Sequence, residues 1–143
     1  MTLNQGVTRG GEGLTGRVWN VVGHTYTPML RAEHAFAWHA VLPPETFMPP
    51  HIHHTQDEWI TVLEGKLTVE FEGETVTAGP GDVIRMPQGR PHGIFNRSGE
   101  TAMCHFAVAP ARQLFERLDG LTDPEELVRI SAEHDVEFLP PPT

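Results

Sequence analysis

The sequence is poor in cysteine and in positive charge, and each shortage excludes a class of protein. Cys104 is the single cysteine among 143 residues, so no disulfide can form within the chain. Lys and Arg together number 10 against 19 Asp and Glu, which gives a formal net charge of −9. No basic cluster interrupts this acidic excess. We therefore expect no binding to nucleic acid or to an anionic membrane surface.

Long apolar runs are also missing. The sequence contains no stretch of about 18 apolar residues and no charged-then-apolar leader, so we predict neither a membrane span nor a signal peptide. A cytoplasmic protein is the expectation that follows. No Ser/His/Asp or Cys/His arrangement emerges, and no phosphate-binding glycine loop with its lysine is present. The residues therefore point away from nucleophilic catalysis.

The length suits one domain, since domains commonly run to about 100–200 residues. A chain of this size buries enough surface to fold without a disulfide or a structural metal, so any bound metal is expected to serve function. Residues 1–16 are glycine-rich and polar and are predicted to form a flexible or docking arm. Residues 17–143 are predicted to form a single domain with a helical C-terminal segment over 111–135.

Short strands separated by turns dominate the region from Arg17 to Val108. Leu67 and Val69 alternate with Thr68 and Glu70, which is the period of a half-buried strand. The predicted strands cover 17–22, 35–41, 51–54, 58–65, 66–73, 74–78, 81–87, 92–96 and 101–108. Regularly spaced short strands predict an all-β sandwich or barrel.

Two short helices are predicted after this β-rich region. One covers 111–118. The second begins with Asp123 as N-cap, Pro124 at the first helical position and Glu126 placed for a capping-box bond. Leu127 and Ile130 then share one face of that helix, so the helices are expected to cover an open face or edge of the barrel.

The stretch PPHIHHTQDEWITVLEG, residues 49–65, holds three histidines within four positions. Residues of a strand alternate between its faces, so His51 and His53 project to one side and His54 to the other. Two neutral imidazoles inside a barrel cost free energy unless they are hydrogen-bonded or ligated. A divalent metal would satisfy one nitrogen of each ring, and an acceptor behind each ring would fix the other nitrogen.

A carboxylate and a third imidazole are available to the same interior. Asp57 and Glu58 both follow the histidines, and Glu58 shares a face with apolar Ile60 and Val62. His92 lies downstream after a Pro-Gly-Pro corner. Three imidazoles and one carboxylate suit Fe, Mn, Co, Ni, Cu or Zn, and suit Mg or Ca poorly.

The stretch from His51 resembles the first motif of the cupin superfamily. His51 and His53 are followed by four residues, Glu58, six residues and Gly65. This spacing selects Glu58 over Asp57 as the fourth ligand. The opening glycine of the family motif, six positions before His51, is replaced by Glu45, which is the one departure.

The second stretch resembles the second cupin motif throughout. Gly81 is followed by five residues, Pro87-x-Gly89, two residues, His92, three residues and Asn96. The two motifs stand in order, about fifteen residues apart. Together with the strand-rich flanks, they resemble a small single-domain cupin of the quercetinase-like type.

This resemblance implies a fold, a metal site and a partner. The fold is a double-stranded β-helix, or jelly-roll barrel, with short C-terminal helices. His51, His53, Glu58 and His92 are implied to surround one divalent transition metal ion, with Glu58 also able to accept a substrate proton. A homodimer and a small-molecule substrate are expected.

Cupins support several functions, so three hypotheses follow. The favoured one is a metal-dependent dioxygenase that acts on an enolisable or phenolic small molecule. The alternatives are a non-oxidative metal-assisted isomerase, epimerase, decarboxylase or lyase, and a non-catalytic module that binds a small ligand.

The remaining histidines are not expected to belong to the metal site. His39 and His105 lie in predicted strands and are expected to be core or surface imidazoles. His24, His34 and His134 are expected to be exposed.

Further residues carry predictions about position alone. Phe47 precedes His51 by an even step and is predicted to contribute to the cavity wall, provided that Pro49 and Pro50 do not break the count. Trp59 should pack outside the barrel, and Arg85 should point outward. Asn96 should form hydrogen bonds at a strand end. Three glycines should occupy turns that need a positive φ: Gly65, Gly81 and Gly89.

Overall fold

Two antiparallel β-sheets face each other and form the double-stranded β-helix that was predicted. The computed structural model describes residues 3–111, 117 and 119–139. The strands are β1 Trp19–Val21, β2 His24–Arg31, β3 Phe36–Leu42, β4 Phe47–His53, β5 Asp57–Glu64, β6 Leu67–Phe71, β7 Glu74–Ala78, β8 Val83–Met86, β9 His92–Phe95, β10 Ala102–Ala109 and β11 Val136–Phe138. One sheet has the order β1-β2-β3-β10-β5-β8, and the other has the order β11-β4-β9-β6-β7.

All nine predicted strands are present, and two strands were missed. β2 alternates threonines with residues that face the core, and Pro28 at its centre made it resemble a loop in the sequence. β2 nevertheless pairs with β1 and β3, with a register shift between Pro28 and Leu30. β11 is only three residues long, so its sequence pattern did not distinguish it from the C-terminal tail.

An aromatic cluster fills one end of the barrel. Trp38 and Phe106 have ring centroids 5.2 Å apart, and Phe36 stacks on Trp38 at 5.3 Å. Tyr26 lies 5.9 Å from Trp38 and 6.0 Å from Phe106. These rings are almost completely buried, so this half of the interior is a packed apolar core.

The C-terminal part of the described chain closes one end of the barrel. Helix α1 covers Pro124–Ala132, and the carboxylate of Asp123 accepts a hydrogen bond from the Glu125 amide, as an N-cap does. Leu127 and Ile130 are buried together, as predicted. β11 follows and pairs with β4. The helix predicted over 111–118 falls outside the described residues, apart from Ala111 and Arg117.

The N-terminal arm contacts β2. The Thr8 hydroxyl donates a hydrogen bond to the Met29 carbonyl at 2.7 Å, and the Leu14 amide donates to the Pro28 carbonyl at the same distance. Among the described residues, no helix is long and apolar enough to cross a membrane.

Glu45 keeps the backbone geometry that a glycine would favour at this position. Its φ is 64°, in the left-handed region that only a few per cent of non-glycine residues adopt. Its amide donates a hydrogen bond to the carbonyl of Asn96 at 2.9 Å. The departure from the cupin motif therefore leaves the turn into β4 intact.

Candidate metal centre

Three imidazoles converge inside the barrel. His51 and His53 lie on β4, and His92 lies on the adjacent β9, directly opposite His51 in register. Each side chain is buried, and one ring nitrogen from each lies within 4.8 Å of the others. The three histidines could hold a metal ion.

Hydrogen bonds behind two of the rings fix which nitrogen faces inward. Nδ1 of His51 donates to the carbonyl of Pro49 at 2.7 Å, and Nδ1 of His53 donates to Oε1 of Gln56 at 3.0 Å. Gln56 Nε2 in turn donates to the Pro110 carbonyl at 2.8 Å, which fixes the orientation of its amide. With both Nδ1 atoms protonated, both Nε2 atoms keep a free lone pair, as a metal ligand requires.

Glu58 reaches the same point from the opposite sheet. Its Oε2 lies 3.3 Å from Nε2 of His53, and its Oε1 lies 3.7 Å from Nε2 of His92. The burial pattern of β5 places Glu58 inside with Ile60 and Val62, as strand parity predicted. Asp57 faces outward, where its carboxylate accepts a hydrogen bond from the Gln88 amide.

The protonation states suit a cation. Burial, followed by repulsion from His92 and His53, lowers the pKa of His51 well below its ordinary value. Burial, followed by the nearby His53, lowers the pKa of His92 to about 3. Burial also raises the pKa of Glu58, although His53 opposes the shift. The neutral rings of His51 and His92, together with the buried carboxyl group of Glu58, form a donor set that a divalent metal would satisfy.

An unpaired nitrogen of His92 also fits a metal site. Its Nε2 is buried without a hydrogen-bond partner among the described residues. The Glu58 oxygen at 3.7 Å is too distant to satisfy it. Because buried polar atoms are nearly always paired, this nitrogen fits the role of a ligand.

Three of these side chains, those of His51, His53 and Glu58, line a cavity of about 30 Å³. One wall is aromatic and contains Tyr26, Trp38 and Phe106, while Leu127 and Phe138 cover the cavity from the C-terminal segment. The Phe138 ring lies 5.0 Å from the His51 ring. The cavity is small beside typical ligand sites of ~300–1,000 Å³, so a larger substrate requires this cover to move.

Two predictions about the cavity wall were wrong. His24, expected to be exposed, is buried and lines the cavity, because β2 is a strand that turns His24 and Tyr26 inward. Phe47 is half-exposed and stacks on Phe95, while Met48 lines the cavity instead. The register shift between Met48 and His51 breaks the alternation that the even-step count assumed.

Most of the other positional predictions agree with the structure, and His134 is the exception. His39 and His105 meet edge to face on the outer side of their sheet, and His34 is exposed. His134 is only half-buried and bonds to the Ile130 carbonyl, so it was not the exposed residue expected. Trp59 faces outward.

The motif asparagine and glycines also behave as predicted. The Asn96 side chain is buried and donates to the carbonyls of Leu42 and Glu100. Each of the three motif glycines has a positive φ: 76° at Gly65, 90° at Gly81 and 78° at Gly89.

Residues 38–108 match the family model for the cupin domain. This chain is a cupin-domain protein. Among solved structures, it is similar to KdgF from Halomonas sp., with a TM-score of 0.67 at 21% identity over 77% of this chain and 97% of that one. An RmlC-like cupin from Shewanella frigidimarina gives a TM-score of 0.68 at 17% identity, over 79% of this chain and 97% of that one. At these identities the cupin fold alone is shared.

One curated relative is the tetracenomycin polyketide synthase protein TcmJ of Streptomyces glaucescens. The identity is 29% over 79 residues, which cover 55% of this chain and 53% of TcmJ. The cupin chain therefore spans about half the length of this relative.

Proposed function

We propose that this cupin is a metal-dependent enzyme in which His51, His53, Glu58 and His92 hold one divalent transition metal ion. The observation that carries the proposal is the convergence of three buried imidazoles, two of which lie within 3.7 Å of the buried Glu58 carboxylate. Fe, Mn, Co, Ni, Cu and Zn all accept such a mixed nitrogen and oxygen set. Four protein ligands leave one or two positions for a substrate on a five- or six-coordinate ion.

Gln56 orients the ligand set in this proposal, and its removal should weaken metal binding. We expect Gln56→Leu to lower metal affinity by about 10- to 100-fold, because His53 loses the acceptor that fixes its ring. Competition titration against a chelator measures the change. Gln56→Glu keeps an acceptor for His53 and should retain more affinity. Wild-type affinity in Gln56→Leu would show that the contact does not orient the ligand.

The proposed substrate is an enolisable or phenolic small molecule, and the proposed reaction is a dioxygenation. A bound metal would supply Lewis acidity and, if redox-active, oxygen chemistry. Glu58 would accept the proton released when the substrate enolises, since a carboxylate at a metal can alternate between ligand and base. The aromatic wall favours a flat molecule and excludes water from the reacting atoms.

A non-oxidative reaction on the same substrate class is the second candidate. The observation that favours it is the similarity to a polyketide synthase protein, since polyketide chains carry carbons between two ketones that enolise readily. Isomerisation, cyclisation or decarboxylation of such a compound needs the same metal and the same base without oxygen. The two reactions therefore differ in oxygen uptake.

Glu58→Gln tests the proposed function directly. We expect turnover of a flavonol or a β-diketone by the metal-loaded protein to fall by ~10²–10⁴-fold, because the amide cannot accept the proton. An oxygen electrode records uptake, and product chromatography detects reaction without uptake. Glu64→Gln, at the exposed end of the same strand, is the matched control and should leave turnover unchanged. Equal turnover in Glu58→Gln and wild type would rule out Glu58 as the base.

A further inference from the structure

A second pair of polar atoms faces the cavity outside the four proposed ligands. His24 comes from β2 and Ser131 from α1, and both line the cavity that holds the histidines. Each residue is only 1% exposed. Nε2 of His24 and Oγ of Ser131 are both buried without a hydrogen-bond partner among the described residues.

Tyr26 holds the His24 ring in place. Its hydroxyl lies 2.9 Å from Nδ1 of His24. Burial, followed by the charge of Glu58, raises the pKa of Tyr26 well above its ordinary value, so the phenol keeps its proton. Burial lowers the pKa of His24 to about 4, so its ring is neutral. If Nε2 carries the proton, its N–H has no acceptor in the described part of the chain. If Nδ1 carries the proton, the lone pair on Nε2 has no donor there.

Two unsatisfied polar atoms in one small cavity call for an explanation. A buried donor or acceptor without a partner destabilises the folded state, and folded proteins contain few of them. Here one atom comes from the barrel and the other from the helix that covers it, so their common surroundings are the cavity itself. The wall beside them is formed by the rings of Tyr26, Trp38 and Phe106. These rings provide no hydrogen-bond partner for the Ser131 hydroxyl or for Nε2 of His24.

We propose that His24 and Ser131 form a second binding position, which recognises a hydroxyl or carbonyl at the end of the substrate remote from the metal. The inference rests on the metal site proposed above and deepens it. The substrate class becomes a small flat molecule with two functional ends. One end offers enol or phenol oxygens to the metal, and the other offers a neutral hydrogen-bonding group to Nε2 and Oγ.

Two chelators that differ by one distal oxygen provide the test. Kojic acid carries a hydroxymethyl group across its ring from the chelating ketone and enol, and allomaltol carries a methyl group there instead. Calorimetric titration of the zinc-loaded protein gives the affinity of each. We expect kojic acid to bind about 3- to 10-fold more tightly than allomaltol, as one or two added hydrogen bonds would produce.

The variants Ser131→Ala and His24→Phe assign that preference to the two residues. Each should bring the kojic acid to allomaltol ratio close to one while leaving the affinity for allomaltol unchanged. Ser131→Ala removes a single oxygen and keeps the helix, so it remains informative if His24→Phe fails to fold. Thr77→Val, which does not line the cavity, is the control and should keep the wild-type ratio.

The outcomes separate this inference from the metal site. If allomaltol binds but kojic acid has no advantage, or if the advantage survives in both variants, the second binding position is wrong and the metal site stands. If the protein does not take up zinc, the metal site is wrong and both proposals fail. If it takes up zinc but neither chelator binds, the metal site stands and the second binding position is wrong.

Discussion

Replacement of His92 by alanine is expected to abolish metal binding almost completely. The proposed site loses an imidazole whose Nε2 is buried, unpaired and within 4.8 Å of the other two ligand nitrogens. The effect should exceed the ~10- to 100-fold loss typical for residues that only orient a ligand. Elemental analysis of the purified protein measures metal content, and chelator competition measures affinity. His51→Ala should behave in the same way.

His105→Ala is the matched control for this experiment. His105 lies on the outer side of β10, faces His39 and touches none of the proposed ligands. Its removal should leave metal content at the wild-type level. Circular dichroism should show the β-barrel intact in all three variants, because the domain is large enough to fold without a metal. Full metal retention in His92→Ala would remove this histidine from the proposed ligand set.

The second large effect is expected at Gly65, in the turn between β5 and β6. Its φ is 76°, and a Cβ added there would lie 2.8 Å from the Thr101 carbonyl oxygen and 2.9 Å from Cα of Ala102. Both are backbone atoms, so no side-chain rotation relieves the contact. We expect Gly65→Ala to lower the free energy of unfolding by at least ~3 kcal/mol, or ~10 °C in Tm. Thermal unfolding followed by circular dichroism measures it.

Gly73→Ala separates the backbone conformation from the steric contact. Gly73 also has a positive φ, 69°, but a Cβ there would meet no heavy atom within 4 Å. Only the left-handed strain remains, so the loss should be about 1 kcal/mol. An equal loss in the two variants would mean that the close approach to Thr101 and Ala102 contributes nothing.

Strand parity was sufficient to predict most of the site. β5 pairs regularly with β10 from Asp57 to Val62, so alternation placed Glu58 inside and Asp57 and Trp59 outside. The same rule holds from His51 to His53 on β4 and at His92 on β9. In these short spans, each side chain points to the face opposite that of the residue before it. Side-chain direction therefore follows from the sequence.

Parity failed where the backbone departs from a regular strand. β4 carries a register shift between Met48 and His51, across Pro49 and Pro50, so Met48 lines the cavity where Phe47 was predicted to do so. A proline cannot donate to the ladder, and this pair of prolines marked the position at which the sequence already indicated that the count could break. Their presence was a usable signal, but the size of the shift depends on how β9 pairs with β4.

His24 was missed for a different reason. The sequence HTYTPMLR does alternate, but its inward positions hold a histidine, a tyrosine and a proline, which lack the apolar character of a core strand. The pairing of Tyr26 with Trp19 and Ala40 in neighbouring strands stabilises β2. Such tertiary pairing outweighs local propensity and cannot be read from β2 alone.

The pairing of β11 with β4 sets a practical boundary for anyone who expresses parts of this protein. Val136 lies opposite His53 and Phe138 opposite His51, although the family match ends at residue 108. A fragment trimmed to that match would leave the β4 edge open to association with other chains and would lack His24, Leu127 and Phe138 from the cavity. The smallest unit that contains the whole site therefore extends well beyond the conserved motifs on both sides.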